Sequence, residues 1–192
     1  MKNKLLVGIS GSFCNHERVL CELKKLYDEY ELSFVFTKNV AMLDTRFSSA
    51  ADLMKKCQAL TSHPIITNIV EAEKIGPLND FDLMAIVPCS ANTLSRIVHG
   101  AYDCPVALCA KAMVRNQKNV LIGIASNDIL GISGVNVMKV INMKHFYILP
   151  FYQDACELKP NSCTSDFTQL KAALDLAYKS RQIQPILMEK KQ

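Results

Sequence analysis

Between Leu83 and Thr93 the chain runs Leu-Met-Ala-Ile-Val-Pro-Cys-Ser-Ala-Asn-Thr, five apolar residues, a proline, and then mostly small polar residues. Leu83 to Val87 has the composition of a strand buried on both faces, the habit of inner strands in a parallel sheet. Pro88 stops the run, and Ser90 to Thr93 carry hydroxyl and amide groups suited to turning the chain and capping a following helix. In an open parallel sheet, ligands bind outside the carboxyl ends of the strands, so this turn is a ligand edge.

The same unit recurs along the chain. Lys4 to Ile9 reads as a buried first strand, and Val19, Leu20, Leu23, Leu26, Tyr27 and Tyr30 recur at helical spacing after it. Between them lies Gly8-Ile9-Ser10-Gly11-Ser12. Two readings of this loop stay open. One is a plain turn. The other is a phosphate site, in which unpaired N–H groups at the helix start and the Ser10 and Ser12 hydroxyls face an anion while Gly11 lets the backbone come close. It is not the dinucleotide fingerprint, because the third glycine is missing.

Leu32 to Phe36 reads as the second strand and ends at Thr37, which by spacing is a strand-end cap. Ser48 to Leu60 is expected to be a short helix capped by Ser48 or Ser49. His63-Pro64 breaks the chain before a short strand at Ile65 and Ile66, and His63 is assigned no chemical role. The stretch to Asp82, with Gly76-Pro77, reads as a loop. After Thr93 a helix runs to His99, closed by Gly100, and Pro105 opens another through Ala110. Asn119 to Ala125 is a strand followed by Ser126-Asn127-Asp128, Val135 to Ile141 a helix, and Phe146 to Pro150 a strand. Phe151 to Ser165 has loop composition, Gln169 to Ser180 is helical, and 181–192 form an extended tail. The alternation predicts one α/β domain over 1–192: a doubly wound, Rossmann-like or flavodoxin-like, mostly parallel sheet with helices on both faces and its polar loops on one rim.

A chain of 192 residues with 49% hydrophobic content has the length for one substantial core. No secretory signal precedes the first apolar run, so the eight cysteines are expected to be thiols in a reducing cytoplasm rather than disulfides. They form no Cys-x-x-Cys pair and no zinc-like cluster with histidine, so no metal site is expected. Apolar runs fall short of the ~20 residues of a membrane helix, and no membrane association is expected. A net charge of +4 without a basic block excludes a nucleic-acid binder and suits a small anion. There is no Ser-His-Asp order, no paired carboxylates and no Walker lysine, so the engine is expected to be a bound cofactor.

Pro88-Cys89-Ser90-Ala91-Asn92-Thr93 resembles the Pro-Ala-Ser-Ala-Asn-Thr signature of the FMN-binding flavoproteins, which include phosphopantothenoylcysteine decarboxylase; Cys89 departs from it. Thr45-Arg46-Phe47, Ala110-Lys111-Ala112, Arg115-Asn116, Asn127-Asp128, Gly134-Val135-Asn136, Pro150-Phe151, Gln153-Asp154-Ala155 and Lys159-Pro160-Asn161-Ser162 are similar to the branch of that family formed by the B subunits of dipicolinate synthases of spore-forming bacteria.

The resemblance implies a cofactor site made by Ser10, Gly11, Ser12, Thr37, Ser90, Asn92 and Thr93, holding FMN or, in a vestigial site, phosphate alone. It implies oxidation of dihydrodipicolinate to dipicolinate during sporulation, in the mother-cell cytoplasm, together with a separate A subunit that carries NADP. Asn92 is then the candidate catalytic residue. Arg46, Lys111 and Arg115 are the cations for a small dicarboxylate, and the planar guanidinium fork suits a carboxylate. Lys111 to Asn116 stands where the decarboxylases carry a substrate loop, and its charges favour a more anionic substrate. The alternatives are a stand-alone FMN-dependent decarboxylase or flavin prenyltransferase, and a non-catalytic partner that orders the A subunit. Relatives of this type imply a homo-oligomer.

Overall fold

The computed structural model describes residues 2–189, so the last residues of the expected tail, 190–192, lie outside the described residues. Four long strands, β1 (Asn3–Ile9), β2 (Tyr30–Phe36), β3 (Leu83–Cys89) and β4 (Asn119–Ser126), lie parallel in the order β2-β1-β3-β4. The first half of β4 pairs in parallel with β5 (Phe146–Ile148). Its second half pairs antiparallel with β7 (Cys163–Ser165), which in turn pairs with β6 (Phe151–Gln153). The parallel order 2-1-3-4-5 is that of the flavodoxin-like doubly wound sheets, whose ligand crevice lies where β1 and β3 part company. The α/β expectation holds.

Each face of the sheet carries its own core. Leu5, Val7 and Ile9 of β1 and Phe34 and Phe36 of β2 pack on one side with α1 (His16–Lys25), α3 (Ala50–Gln58) and α9 (Leu170–Tyr178). Leu6, Met84, Ile86 and Ile122 pack on the other with α6 (Ala91–His99), α7 (Pro105–Arg115) and α8 (Gly134–Ile141). Alternate residues of one buried strand thus feed opposite cores, which is why the strands read as unbroken apolar runs.

Four expectations need correction. Pro88 does not end its strand: β3 continues to Cys89, and the register with β4 shifts between Ile86 and Cys89. A bulge is where an inner strand can tolerate a residue without an N–H. The stretch 67–82 is not a bare loop but holds α4 (Ile69–Glu73) and α5 (Ile75–Leu78). Asn68 accepts from the Glu71 N–H and Glu71 answers by accepting from the Thr67 N–H, a reciprocal cap, while Pro77 falls in a first turn where it breaks no hydrogen bond. The helix α7 runs on past Ala110 because Ala112 and Met113 extend its buried face. The stretch 151–165 contains the hairpin of β6 and β7, whose three-residue strands find their partners only in the tertiary fold. Of the tail, Ile186 and Met188 bond to Phe151 on the outer edge.

Candidate functional site

A cleft of about 460 Å³ opens over the carboxyl ends of β1, β2 and β3. Gly11, Thr37, Ser90, Asn92 and Thr93 line it, so the three strand-end turns do meet on one rim. Three of its lining residues are helix N-caps: Thr37 for α2 (Lys38–Met42), Ser90 for α6 and Cys104 for α7. Helix starts present unpaired N–H groups and partial positive charge, and three of them converge on this cleft. Ser90 caps its own helix, accepting from the Thr93 N–H. Neither Thr37 nor Cys104 bonds its own helix start through its side chain, which leaves those N–H groups for a ligand.

The first loop is built differently from the expectation. Ser10 is wholly buried; its Oγ donates to the Pro88 carbonyl at 2.9 Å and accepts from the Ser90 N–H at 2.8 Å. It therefore rivets β1 to β3 and leaves no group for a ligand. Ser12, not Gly11, takes the left-handed conformation, with φ of 72°, and its hydroxyl donates to the Ala125 carbonyl beyond β3. A Cβ on Gly11 would meet only Ser90, at 3.5 Å, an ordinary contact. Gly11 leaves room in the cleft rather than serving the fold.

The expected cations are not in the cleft. Arg46 is exposed in the loop before α3 and lies 4.8 Å over the Phe47 ring. Lys111 is exposed on α7 and lies 4.8 Å over the Tyr102 ring. Arg115 ends α7, ten residues from the cleft-lining Pro105 or about 15 Å along the axis, where it stands beside Gly76. The charges that line the cleft are Lys38, Arg96 and Asp103. Arg96 is tied down: its Nε donates to Asp103 at 2.8 Å and its Nη1 to Asn92 Oδ1. The pair holds the exposed Asp103 carboxyl below its usual range. Lys38 forms no salt bridge among the described residues and is the free cation of the rim.

Phe13 also lines the cleft. Beyond Lys38 and Asp103 it adjoins a more apolar hollow of about 520 Å³ that includes Ala41, Met42, Met54 and Ile69. A polar, anion-seeking end next to an apolar one fits a mononucleotide whose phosphate sits on helix starts and whose ring lies on apolar surface. Among the described residues no cluster of metal-ligating side chains occurs and no helix is long and apolar enough to cross a membrane.

The chain is 38% identical over 183 residues to the B subunit of dipicolinate synthase of Bacillus subtilis strain 168, covering 95% of this chain and 92% of that one. The crystal structure of the dipicolinate synthase B subunit from Bacillus halodurans superposes with a TM-score of 0.89 at 34% identity, covering 99% of this chain and 100% of the other. A dodecameric FMN-dependent UbiX-like decarboxylase from Escherichia coli O157:H7 shares the fold at 23% identity and a TM-score of 0.61, over 77% and 79% of the two chains. The family model described as Flavoprotein matches residues 1–179, and the chain belongs to the flavoprotein family, in the branch of the dipicolinate synthase B subunits.

Proposed function

We propose that the chain is the B subunit of a dipicolinate synthase that, with a separate A subunit carrying NADP, oxidises dihydrodipicolinate to dipicolinate in the mother-cell cytoplasm during sporulation. The observation that carries the cofactor part of this reading is the meeting of three helix N-caps, Thr37, Ser90 and Cys104, around one cleft with an apolar annexe. In this reading the cleft holds FMN, with the phosphate near Gly11, Thr37 and Ser90. Bound there, a flavin supplies an acceptor for the two hydrogens whose loss aromatises the ring.

The chain's own residues bind and orient. Lys38 supplies the positive charge that offsets the phosphate or a substrate carboxylate. Arg96 fixes the Asn92 amide by donating to its Oδ1, which leaves the Asn92 amide N–H groups to donate to a ring or flavin atom. Phe13 adds an aromatic surface to the cleft lining. Arg46 and Lys111, exposed and outside the cleft, serve a dicarboxylate only if a second copy or the A subunit presents its own cleft to them. A homo-oligomer would do so.

The test is dipicolinate formation by the purified chain with and without the A subunit, with flavin followed by its visible absorbance. Product only with both subunits, lost in Thr93→Val and restored by no added metal, is expected. Full activity of a colourless preparation that refuses FMN would remove the flavin. Activity that survives every cleft variant would leave this chain as a partner that merely orders the A subunit.

A further inference from the structure

Arg96 is tied down in the cleft but not used up. A guanidinium carries five N–H donors. Nε gives one to Asp103 Oδ1 at 2.8 Å, Nη2 one to Asp103 Oδ2 at 3.4 Å, and Nη1 one to Asn92 Oδ1. One N–H on each terminal nitrogen is left, and the Asn92 amide adds two more that donate to nothing among the described residues. Arg96 and Asn92 both line the cleft and are bonded to each other, so these free donors lie side by side.

Asp103 holds that arrangement in place. Arg96 stands four residues beyond Asn92 on the same face of α6, and Asp103 follows the Gly100 cap, so the carboxylate takes the Nε edge while Nη1 reaches back to the amide. Because a guanidinium only donates, it settles which end of the amide it meets: Oδ1 accepts from it, and Nδ2 is left as the donor. A ligand atom facing Asn92 has to be an acceptor.

Parallel donors on a guanidinium match a planar, charged acceptor, and a carboxylate is one. The charged side chains of the lining are Lys38, Arg96 and Asp103; with Asp103 offset by Arg96 one positive charge remains, and α6 and α7 both start at the cleft. Gly11 stands beside Ser90, where an added Cβ would meet it at 3.5 Å, whereas Arg96 leaves α6 six residues later, about 9 Å along the axis. A phosphate near Gly11 and a carboxylate at Arg96 therefore have separate places. We propose that Asn92 and Arg96 form the seat of a substrate carboxylate and that Asp103 is its positioning residue. The seat rests on the dipicolinate reading, whose substrate is a ring with two carboxylates, and narrows the acceptor facing Asn92 to one of them. It also puts the carboxylate-binding cation inside the cleft, whose lining includes none of Arg46, Lys111 and Arg115.

The test is a calorimetric titration of the full chain as purified, in metal-free buffer, with dipicolinate and with its uncharged diamide. Saturable one-to-one binding of dipicolinate is expected, and none of the diamide. Arg96→Ala should weaken dipicolinate about tenfold or more, as loss of charged hydrogen bonds does, and leave FMN affinity where it was. Asp103→Ala separates positioning from charge. Taking a negative charge out of an anion site tightens it by Coulomb's law, whereas releasing the guanidinium loosens it, so weaker binding is expected in Asp103→Ala and recovery in Asp103→Glu. No saturable binding, equal binding of the diamide, undiminished binding in Arg96→Ala, FMN affinity lost along with it, or tighter binding in Asp103→Ala would each overturn the seat. A chain that binds dipicolinate through Arg96 yet forms none with the A subunit keeps the seat and loses the reading beneath it; one that forms dipicolinate but binds it without Arg96 does the reverse.

Discussion

The Ser90 backbone N–H donates to Ser10 Oγ at 2.8 Å, and that one hydroxyl, buried completely, fastens the carboxyl ends of β1 and β3 at the crevice between them. Ser10 Oγ also donates to the Pro88 carbonyl at 2.9 Å, but that carbonyl still accepts from the Ser10 N–H at 3.3 Å, so Ser10→Ala strands one donor, the Ser90 N–H. Each unsatisfied buried group costs roughly 1–3 kcal/mol. The variant should lose about that much stability in urea unfolding. It should bind FMN more weakly as well, since the geometry of the rim depends on the fastening although Ser10 itself touches no ligand.

Lys38 begins α2 at the mouth of the cleft and forms no salt bridge among the described residues, the Asp103 carboxylate there being paired with Arg96. If it faces the nucleotide phosphate, Lys38→Ala should weaken FMN about tenfold or more, the scale of a charged hydrogen bond, and leave riboflavin binding unchanged. Titrations with both flavins read this directly. Equal losses for the two would place Lys38 beside the ring. Added salt should narrow the gap between FMN and riboflavin in the parent chain, because the rim is open to solvent.

The parts of the site legible in the sequence were those with a local signature. Thr37 and Ser90 each follow an apolar strand directly and each begin a helix, so strand-end position alone brought them to one rim. Lys38 and Arg96 carry no such mark: both look like solvated helix charges until the fold turns α2 and α6 toward the same opening. Cys104-Pro105 did announce a helix start, but that α7 begins at the cleft and ends about 15 Å away is decided by packing. The same fact removes Arg115, whose neighbour in space is Gly76. The hydroxyls of Ser10 and Ser12 mark them as ligand groups in the sequence, yet burial and a left-handed turn spend both on backbone carbonyls. The strand β7 escaped because three residues of Cys-Thr-Ser have no periodicity, and only the edge left by β4 pairs them.

The eight cysteines divide sharply by environment. Cys14, Cys21 and Cys156 are exposed; the other five are buried, and none is bridged. Burial pushes the Cys57 and Cys109 thiols up to about 12 and raises those of Cys89 and Cys163 as well. The thiolate is the reactive form, so iodoacetamide at pH 8 should label three sites in the native protein and eight in urea, as peptide mass mapping would show. Native labelling of Cys89 would mean that β3 opens at the cleft.

His16 sits under the first loop, only 4% exposed, with Nε2 at 2.9 Å from the Ser10 carbonyl and Nδ1 without a partner. The near carbonyl requires the proton on Nε2. Burial holds the pKa below the ordinary 6.5, with the Ser10 and Gly11 backbone only partly offsetting it. The unfolded chain therefore takes up this proton first as the pH falls. His16 accordingly contributes stability that is fully present above about pH 6.5 and declines as the pH drops from there to the lower folded value. His145 shifts in the same direction and contributes to the same slope. His16→Gln keeps a donor for the Ser10 carbonyl but cannot titrate. Its urea midpoint should fall less between pH 7.5 and 5.5 than that of the parent chain. Parallel curves would show that His16 titrates alike in the folded and unfolded chain, so that burial does not hold its pKa down.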